Sequence, residues 1–334
     1  MPKNFELCKE GDVAFADASE DTNEVAKTVE FFNLAGKDIV CGLHTIHGRD
    51  NKNRTVIGYK GYAFSSTAFH NQIRRIAQGT KIYSISSKNF SECYIGLPSK
   101  PEQTKIATLL RLIDERIVTQ NKIIEDLKML KSAIIENVFD DKHSERLQLD
   151  NVGSYIRGLT YSSNDVVEHG GTLVMRSNNI VNGSLLDYNN NVVFVNKQMS
   201  AEQQLQNGDI VICMANGSSS LVGKSSFYDG NCHSPITVGA FCGIYRSKEP
   251  IVKWLFQTNK YRRYIWNSLQ GGNGAIANLN GEDILNMSFS IPNAPIKDTC
   301  VKMLTSVDSA LENNMSLCAL YTLQKQHLLR QMFI

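Results

Sequence analysis

The chain has 334 residues, 42% apolar and 20% charged, so it can bury a sizeable core and should divide into two or more globular units. Its formal net charge of +2 shows that the chain is not uniformly basic. If it binds nucleic acid, the positive charge must be concentrated on part of its surface or be supplied by a partner protein. There is no run of about 18 apolar residues and no secretory signal at the start, so we expect a soluble, cytoplasmic protein without a membrane partner.

The eight cysteines form no C-x-x-C pair and stand mostly in apolar segments, which is typical of reduced, structural thiols. Metal-like spacing occurs only where His44 precedes His47 and where Cys232 and His233 precede Cys242. Because neither group has a second well-spaced pair, we interpret both as structural and predict no metal site.

In chain order, the first segment opens with a Gly-Asp turn and a short strand, and an amphipathic helix follows from about Ser65 to Ala77. A long helix spans Pro101 to Asp140. The second segment repeats this plan with more strands, a predicted amphipathic helix from Ile251 to Leu269, and a long helix from Pro295 to the end. The predicted strands of the second segment contain Leu173–Met175, Val192–Val195, Asp209–Ile212 and Ala240–Ile244.

An internal repeat sets the architecture. Leu97-Pro98 matches Ile291-Pro292, Ile113-Asp114 matches Val307-Asp308, and Phe139 matches Phe333, always at an offset of 194 residues. Gly11-Asp12 likewise resembles Gly208-Asp209. The sequence therefore predicts an α+β chain with mixed globular domains at 1–98 and 147–292, and helical segments at 99–140 and 294–334.

Both long helices carry a heptad seam, and its polar interruptions match in register, Gln120 with Asn314 and Lys131 with Lys325. A polar seam residue costs stability but fixes register and partner, so we expect the helices to pair with each other. Packing of each helix on its own domain, or an unrelated coiled coil, is the competing interpretation. The predicted pairing residues are Ile106, Leu110, Ile113, Ile117, Gln120, Ile124, Leu127, Leu304, Val307, Leu311, Asn314, Tyr321 and Leu328.

The two globular segments differ in length before the matched Gly-Asp turns. The second has 61 residues from Leu147 to Asn207, whereas the first has 10 residues before Gly11. We therefore expect the first domain to lack roughly 50 residues of its N-terminal half, as a fragment or as a naturally shortened domain.

The opening of the first long helix resembles a known family. Gly96-Leu97-Pro98 is followed by Pro101-Glu102-Gln103-Thr104-Lys105-Ile106-Ala107, which is similar to the conserved P-x-x-E-Q-x-x-I-A region of type I restriction-modification specificity subunits. The second copy has lost the Glu-Gln pair. Gly158–Tyr161 and Leu173–Ile180 look like the opening of a target-recognition domain, so the resemblance covers nearly the whole chain.

This resemblance implies two target-recognition domains separated by two long antiparallel coiled-coil helices in a tandem pseudo-two-fold repeat. Each domain would read one half of a bipartite site in double-stranded DNA. The family's partners are two methyltransferase subunits and an endonuclease/translocase subunit, which act in DNA methylation and phage defence in the bacterial cytoplasm. S-adenosylmethionine, Mg and ATP are expected in those partners, with no cofactor in this chain. The short first domain departs from the family pattern. This departure concerns recognition of the first half-site and leaves recognition of the second half-site unaffected.

Bases are read by Arg, Lys, Asn and Gln, and phosphates by Lys, Arg and hydroxyl groups, on loops or helix ends that enter a groove. For each candidate loop a solvated turn is the competing interpretation. The candidates in the second domain are Arg157, Thr160, Tyr161, Arg176, Asn178, Asn179, Asn216, Ser218, Lys224, Lys260, Arg263, Gln270 and Asn273. Those in the first domain are His44, Arg74, Arg75, Gln78, Lys81 and Tyr83.

The sequence has no Asn/Asp-Pro-Pro-aromatic loop, Walker loop, G-x-S-x-G elbow or H-E-x-x-H motif, so we predict a non-catalytic chain. Three alternatives remain open. The chain could be the recognition subunit of a related split-site type II system, a silent or rearranged specificity cassette, or a coiled-coil adaptor with no role on DNA.

Overall fold

The computed structural model describes residues 6–139, 145–269 and 277–333. The chain divides into two compact units, unit 1 with residues 1–125 and 312–334, and unit 2 with residues 126–311. Each unit therefore combines a globular segment with parts of both long helices.

The globular part of unit 1 has short strands packed with two helices around Phe15, Phe69 and Ile73, which are all buried. Strand β1 pairs antiparallel with β3 on one edge and β4 on the other. The elements are β1 (Val13–Ala16), β2 (Ala18–Ser19), β3 (Thr28–Glu30), β4 (Thr45–Gly48), α1 (Tyr59–Phe64), α2 (Thr67–Ile76), β5 (Tyr83–Ser84), α3 (Ser87–Phe90) and the long helix α4 (Lys100–Val138).

Unit 2 contains two four-stranded sheets. They have the orders β14-β9-β10-β8 and β13-β11-β15-β7, and the pairing of β14 with β9 is parallel. The elements are β6 (Glu145–Gln148), α5 (Leu149–Val152), β7 (Gly153–Arg157), β8 (Val166–Val167), β9 (Thr172–Met175), β10 (Val193–Val195), β11 (Ile210–Cys213), β12 (Ala215–Asn216), β13 (Ser225–Phe227), β14 (Ile236–Val238), β15 (Cys242–Ser247), α6 (Val252–Leu255), α7 (Asn259–Leu269), β16 (Ala277–Asn278), α8 (Gly281–Leu285), β17 (Ser288–Ile291) and α9 (Ala294–Met332).

A three-stranded sheet is repeated in the two units with one register. Val13 faces Gly48 across β1 and β4, and Ile210 faces Tyr245 across β11 and β15. The third strands, β3 and β13, pair in the same matched way. All these equivalences have an offset of 197 residues, whereas the matches in the long helices and directly beside them have an offset of 194.

The Gly-Asp turn that starts this sheet is held by the same ion pair in both units. Arg49 binds the buried Asp12 through Nε at 2.9 Å, and Arg246 binds the buried Asp209 through Nε at 2.8 Å. In each case a backbone N–H three residues before the Asp donates to its carboxylate at 2.7 Å. Burial alone would raise the pKa of Asp12, but bonds from Arg49, the Lys9 amide and His47 lower it well below its usual range.

The two units differ beyond this shared sheet. In unit 2, β15 pairs with β11 on one edge and with β7 on the other, along five residues. A second sheet also packs against this first sheet around Met175, Val211 and Ile244. No described residue of unit 1 pairs with the corresponding edge of β4, and no described strand there corresponds to β7–β10.

The long helices are antiparallel, which confirms the predicted α+β fold with a helix pair. Within unit 1, Lys325 binds Asp114 at 2.6 Å and Gln120 donates to the Asn314 amide oxygen. Within unit 2, Lys131 binds Asp308 at 2.7 Å, which is the same ion pair at the 194-residue offset. All thirteen predicted pairing residues are buried or half-buried. Some of them, such as Leu110 and Leu304, lie in clusters that also contain residues of the globular segments.

The sequence Pro101-Glu102-Gln103 explains how α4 begins. Glu102 caps the helix by accepting bonds from the amide and hydroxyl of Ser99. The buried Gln103 accepts from the Val56 amide and donates to the carbonyls of Arg54 and Pro98, so it ties the helix start to a loop of unit 1. At the position matching Gln103, Lys297 instead forms an ion pair with Glu249.

The prediction of one helix from Ile251 to Leu269 is wrong in one respect, because the structure has two helices there, α6 and α7. The break lies at the buried Thr258, whose hydroxyl accepts a bond from the Tyr261 amide at 3.0 Å and so caps α7. Ser66 caps α2 in the same way, by accepting from the Phe69 amide. Thr258 fits the periodicity of a continuous helix, but its side chain bonds to the backbone instead.

Candidate nucleic-acid interface

Four of the predicted DNA-contacting residues line one cavity of unit 2. The cavity has a volume of about 630 Å³. It lies beside the C-terminal ends of β7, β9 and β14 and beside strand β12, which pairs with β16. Open clefts of this size, with a few converging polar groups, are typical of binding sites. Its principal lining residues are Tyr161, Ser163, Arg176, Asn178, Asn216 and Phe241.

Two close backbone approaches fix the wall of this cavity. The Phe241 carbonyl accepts bonds from the amides of Met214 (2.9 Å) and Ala215 (3.1 Å). Gly158 lies so near the turn before β15 that a Cβ there would be 2.2 Å from the Gly239 oxygen and 2.8 Å from the Cys242 oxygen. Only glycine allows this approach, which explains why a glycine occupies position 158.

We expect Gly158→Ala to lower the free energy of unfolding of unit 2 by at least about 1–3 kcal/mol, because a methyl group would push two backbone segments apart. Gly217→Ala is the matched control, since a Cβ at Gly217 meets no atom within 4 Å and Gly217 lines the same cavity. Urea unfolding followed by tryptophan fluorescence measures the difference. Equal stability of the two variants would contradict the packing argument.

The cavity presents hydrogen-bonding groups of both kinds. Arg176 is exposed and donates to the Asn191 carbonyl at 3.2 Å, whereas the exposed Asn178 side chain bonds to no other described residue. Asn216 is half-buried and donates to the Ser177 hydroxyl at 3.2 Å. Burial raises the pKa of the Cys242 thiol to about 12, so this thiol is uncharged at neutral pH. None of the described lining residues is acidic.

Asn179 was predicted as a DNA contact, and the structure corrects this. It is 1% exposed, and its side-chain oxygen accepts from the Arg176 amide at 2.9 Å. Its NH₂ group donates to the carbonyls of Asp187 and Asn190. Because all its hydrogen-bonding groups are used inside unit 2, Asn179 holds the loop that presents Asn178.

The remaining candidates of unit 2 lie outside this cavity. Arg157 and Thr160 are exposed near the end of β7, and Ser218 bonds to Ser220 on an exposed loop. Lys224 lines a neighbouring cavity with Arg262 and Trp266. Lys260 is half-buried and Arg263 exposed on α7, while Gln270 and Asn273 lie outside the described residues.

The candidates of unit 1 occupy three exposed places. His44 stands in the turn before β4, and Arg74 and Arg75 end α2. Gln78 pairs through its backbone with Ser84, and the segment between them carries the exposed Lys81 and the half-buried Tyr83. Arg74 is engaged with the side chains of Asn23 and Asn71.

Sequence reasoning missed two exposed aromatic residues, Phe241 (67% exposed) and Trp266 (65% exposed). Phe241 falls in the predicted strand Ala240–Ile244 and was not among the predicted DNA-contacting residues. The strand starts at Cys242, so Phe241 belongs to the preceding turn. Trp266 lies on the outer face of α7, next to two arginines that did mark this helix as a candidate.

The described residues show neither a membrane-spanning helix nor a cluster of metal-ligating side chains. No helix among them is both long and apolar enough to cross a membrane. They contain no group of three or more His, Cys, Asp or Glu side chains arranged to hold a metal ion.

Comparisons with known proteins bear on this architecture. No family model matches the chain. It is 35% identical over 155 residues to the type I restriction enzyme EcoKI specificity subunit of Escherichia coli (strain K12). It is 34% identical over 153 residues to the StySPI specificity subunit of Salmonella potsdam. Each match covers 43% of this chain and 31% of the relative's own length.

Two solved structures share the fold over nearly the whole chain. The S subunit of a type I restriction-modification system from M. genitalium covers 99% of this chain and 84% of its own, with a TM-score of 0.62 and 16% identity. A chain from a structural study of complex assembly and conformational transition in the type I system covers 98% and 83%, with a TM-score of 0.55 and 13% identity. The predicted resemblance to type I specificity subunits is confirmed.

Within the specificity-subunit fold, the cavity of unit 2 lies where the two sheets of one globular domain end, and it gathers Tyr161, Arg176, Asn178 and Asn216. The predicted Glu-Gln motif starts a long helix of the fold and anchors it to the globular part of unit 1. These two regions differ in chemistry, because the first offers polar groups to a ligand and the second uses its polar groups internally.

Proposed function

We propose that this chain is the DNA-recognition subunit of a type I restriction-modification complex. Each globular domain reads one half of a bipartite DNA site, and the chain itself performs no catalysis. The observation that carries the proposal is the repeat. The same three-stranded sheet, with the same strand register, occurs in both units. The same ion pair between the long helices also occurs in both units. Similarity to named specificity subunits supports this reading.

The chemistry of the unit 2 cavity supports contact with base edges. Arginine is suited to the acceptors of guanine, and asparagine to the donor and acceptor of adenine. Arg176, Asn178 and Asn216 supply these groups without a nearby lining carboxylate, which would repel phosphates. The exposed arginines of α7 and Lys224 are suited to phosphate contacts, which position a protein without reading sequence.

The outer faces of the long helices support the docking of two methyltransferase subunits. Exposed apolar residues occur at matched positions, Leu109 with Met303, Ile123 with Leu317, and Met129 with Leu323. Repeated exposed apolar surface on helices is typical of interaction sites. Because the positions repeat at the 194-residue offset, each copy can bind one partner of the same kind. S-adenosylmethionine, Mg and ATP then belong to the partner subunits.

The test is to co-express the chain with the methyltransferase subunit encoded beside it, purify the complex, and map methylated adenines by single-molecule sequencing. We expect co-purification with two methyltransferase subunits per chain and a methylated motif with two defined halves. We also expect DNA binding by the complex to weaken steeply as salt rises. A folded complex without methylation or sequence-dependent binding would favour an adaptor or a silent cassette.

A further inference from the structure

In both units a four-residue turn leads into one edge strand of the repeated sheet, β4 in unit 1 and β15 in unit 2. It is Gly42–Thr45 before β4 and Gly239–Cys242 before β15, at the 197-residue offset. In each turn the amide of the fourth residue donates to the carbonyl of the first, at 3.2 Å in unit 1 and 2.8 Å in unit 2. The third residue has an aromatic side chain in both turns, His44 in unit 1 and Phe241 in unit 2.

The backbone of both residues is held by hydrogen bonds, whereas the side chains are largely exposed. The Phe241 carbonyl accepts from the Met214 amide at 2.9 Å, and the His44 carbonyl accepts from the Asp17 amide at 3.3 Å, which is the matching bond. Phe241 is 67% exposed, and the His44 side chain is 91% exposed, with Nδ1 3.6 Å from the Asp17 carboxylate. A rigidly presented and exposed ring adds little to the core, whereas rigid presentation is what recognition requires.

The surroundings of Phe241 favour DNA as the ligand. The ring stands in the wall of a cavity whose other side chains include Arg176, Asn178 and Asn216. These are residue types that read base edges, and a phenylalanine completes the set because apolar side chains contact the thymine methyl group. Because about two thirds of Phe241 is exposed among these guanidinium and amide groups, the ring is accessible to a ligand in the cavity.

We propose that Phe241 and His44 are a matched pair of specificity-determining residues, one for each half of the DNA site. This inference rests on the function proposed above and names the reading position within it. Phe241 packs on an apolar base edge, and His44 forms a hydrogen bond with a polar one. The repeat therefore delivers two side chains of different chemistry to equivalent places, so the two half-sites differ in sequence at the positions they contact.

The test compares wild type, Phe241→Ala and His44→Ala in the co-expressed complex, with methylated adenines mapped by single-molecule sequencing. We expect Phe241→Ala to relax one or two base positions in one half of the motif, raising methylation at mismatched sites on the order of tenfold, as a lost base contact does. His44→Ala should relax the other half. Each variant is the control for the other, and Tyr94→Ala, an exposed aromatic residue outside both turns (76% exposed), should leave the motif unchanged.

The outcomes separate the two proposals. A wild-type complex with a bipartite motif, together with unchanged motifs in both variants, overturns this inference and leaves the proposed function standing. A wild-type complex with no motif overturns the proposed function and this inference together. Relaxation of both halves by one variant also overturns the pairing of one turn with one half-site. Thermal melting of each variant checks that the exposed substitutions leave the fold intact.

Discussion

Replacing Asp308 with alanine is expected to lower the free energy of unfolding by about 3–5 kcal/mol, the usual cost of leaving a buried charge without its partner. The Asp308 carboxylate binds Lys131 at 2.7 Å and Lys253 at 2.8 Å. It also accepts a bond from the Trp254 indole at 3.1 Å. The side chains of Asp308 and Lys131 are 7% and 9% exposed, so water cannot replace the lost carboxylate.

The matched control is Asp114→Ala, which removes the same ion pair in unit 1. Asp114 and Lys325 are 35% and 28% exposed, so water screens this pair and we expect a loss of about 1 kcal/mol or less. Urea unfolding followed by circular dichroism measures both variants. Tryptophan fluorescence reports unit 2 separately, because both tryptophans of the chain, Trp254 and Trp266, lie there. Equal losses in the two variants would show that burial does not decide the strength of this ion pair.

Leu110→Ala is expected to cost about 2–5 kcal/mol, because the side chain is fully buried and its removal leaves a cavity. Leu110 packs in a cluster of unit 1 with Tyr59 of the globular segment, Ala107 of the same helix, and Phe333, which directly follows α9. The substitution should therefore destabilise the helix pair and the adjoining domain together. Thermal melting by circular dichroism, at several urea concentrations, measures the loss.

Leu112→Ala is the control for this prediction. Leu112 lies two residues further along the same helix and is 49% exposed, so we expect a change within about 0.5 kcal/mol. Leu304→Ala, at the matched position of α9 and also fully buried, should repeat the loss of Leu110→Ala in unit 2. If Leu112→Ala were as costly as Leu110→Ala, the heptad seam would not be the interface that stabilises the helices.

The long helices are the part of the fold that the sequence predicts best. Their seam repeats every seven residues, and a helix with that period must bury the seam against a partner. Matched polar breaks at Gln120 and Asn314 also indicated the partner, and these two side chains do bond to each other. Periodicity is a local property, so it can be read without knowledge of distant contacts.

The candidate site is predicted less well, because neighbouring residues of one type have opposite roles. Asn178 and Asn179 follow each other in one short turn, yet the first is exposed and the second is buried with its amide fully bonded. Phe241 reads as a strand residue, and its exposure depends on where β15 starts. Neither distinction is encoded in residue type or spacing.

The sequence by itself therefore determined the repeat, the pairing of the two long helices and the resemblance to type I specificity subunits, because periodic seams and duplicated motifs are local patterns. The antiparallel direction of the helices was implied by that resemblance alone. Only the tertiary structure decided that Tyr161, Arg176, Asn178 and Asn216 meet at one cavity, and that His44 and Phe241 occupy equivalent turns. These outcomes depend on pairing between strands far apart in the chain, such as β9 with β14 and β7 with β15. Such pairing is settled by the packing of the whole domain, since the local sequence of each strand is compatible with several neighbours.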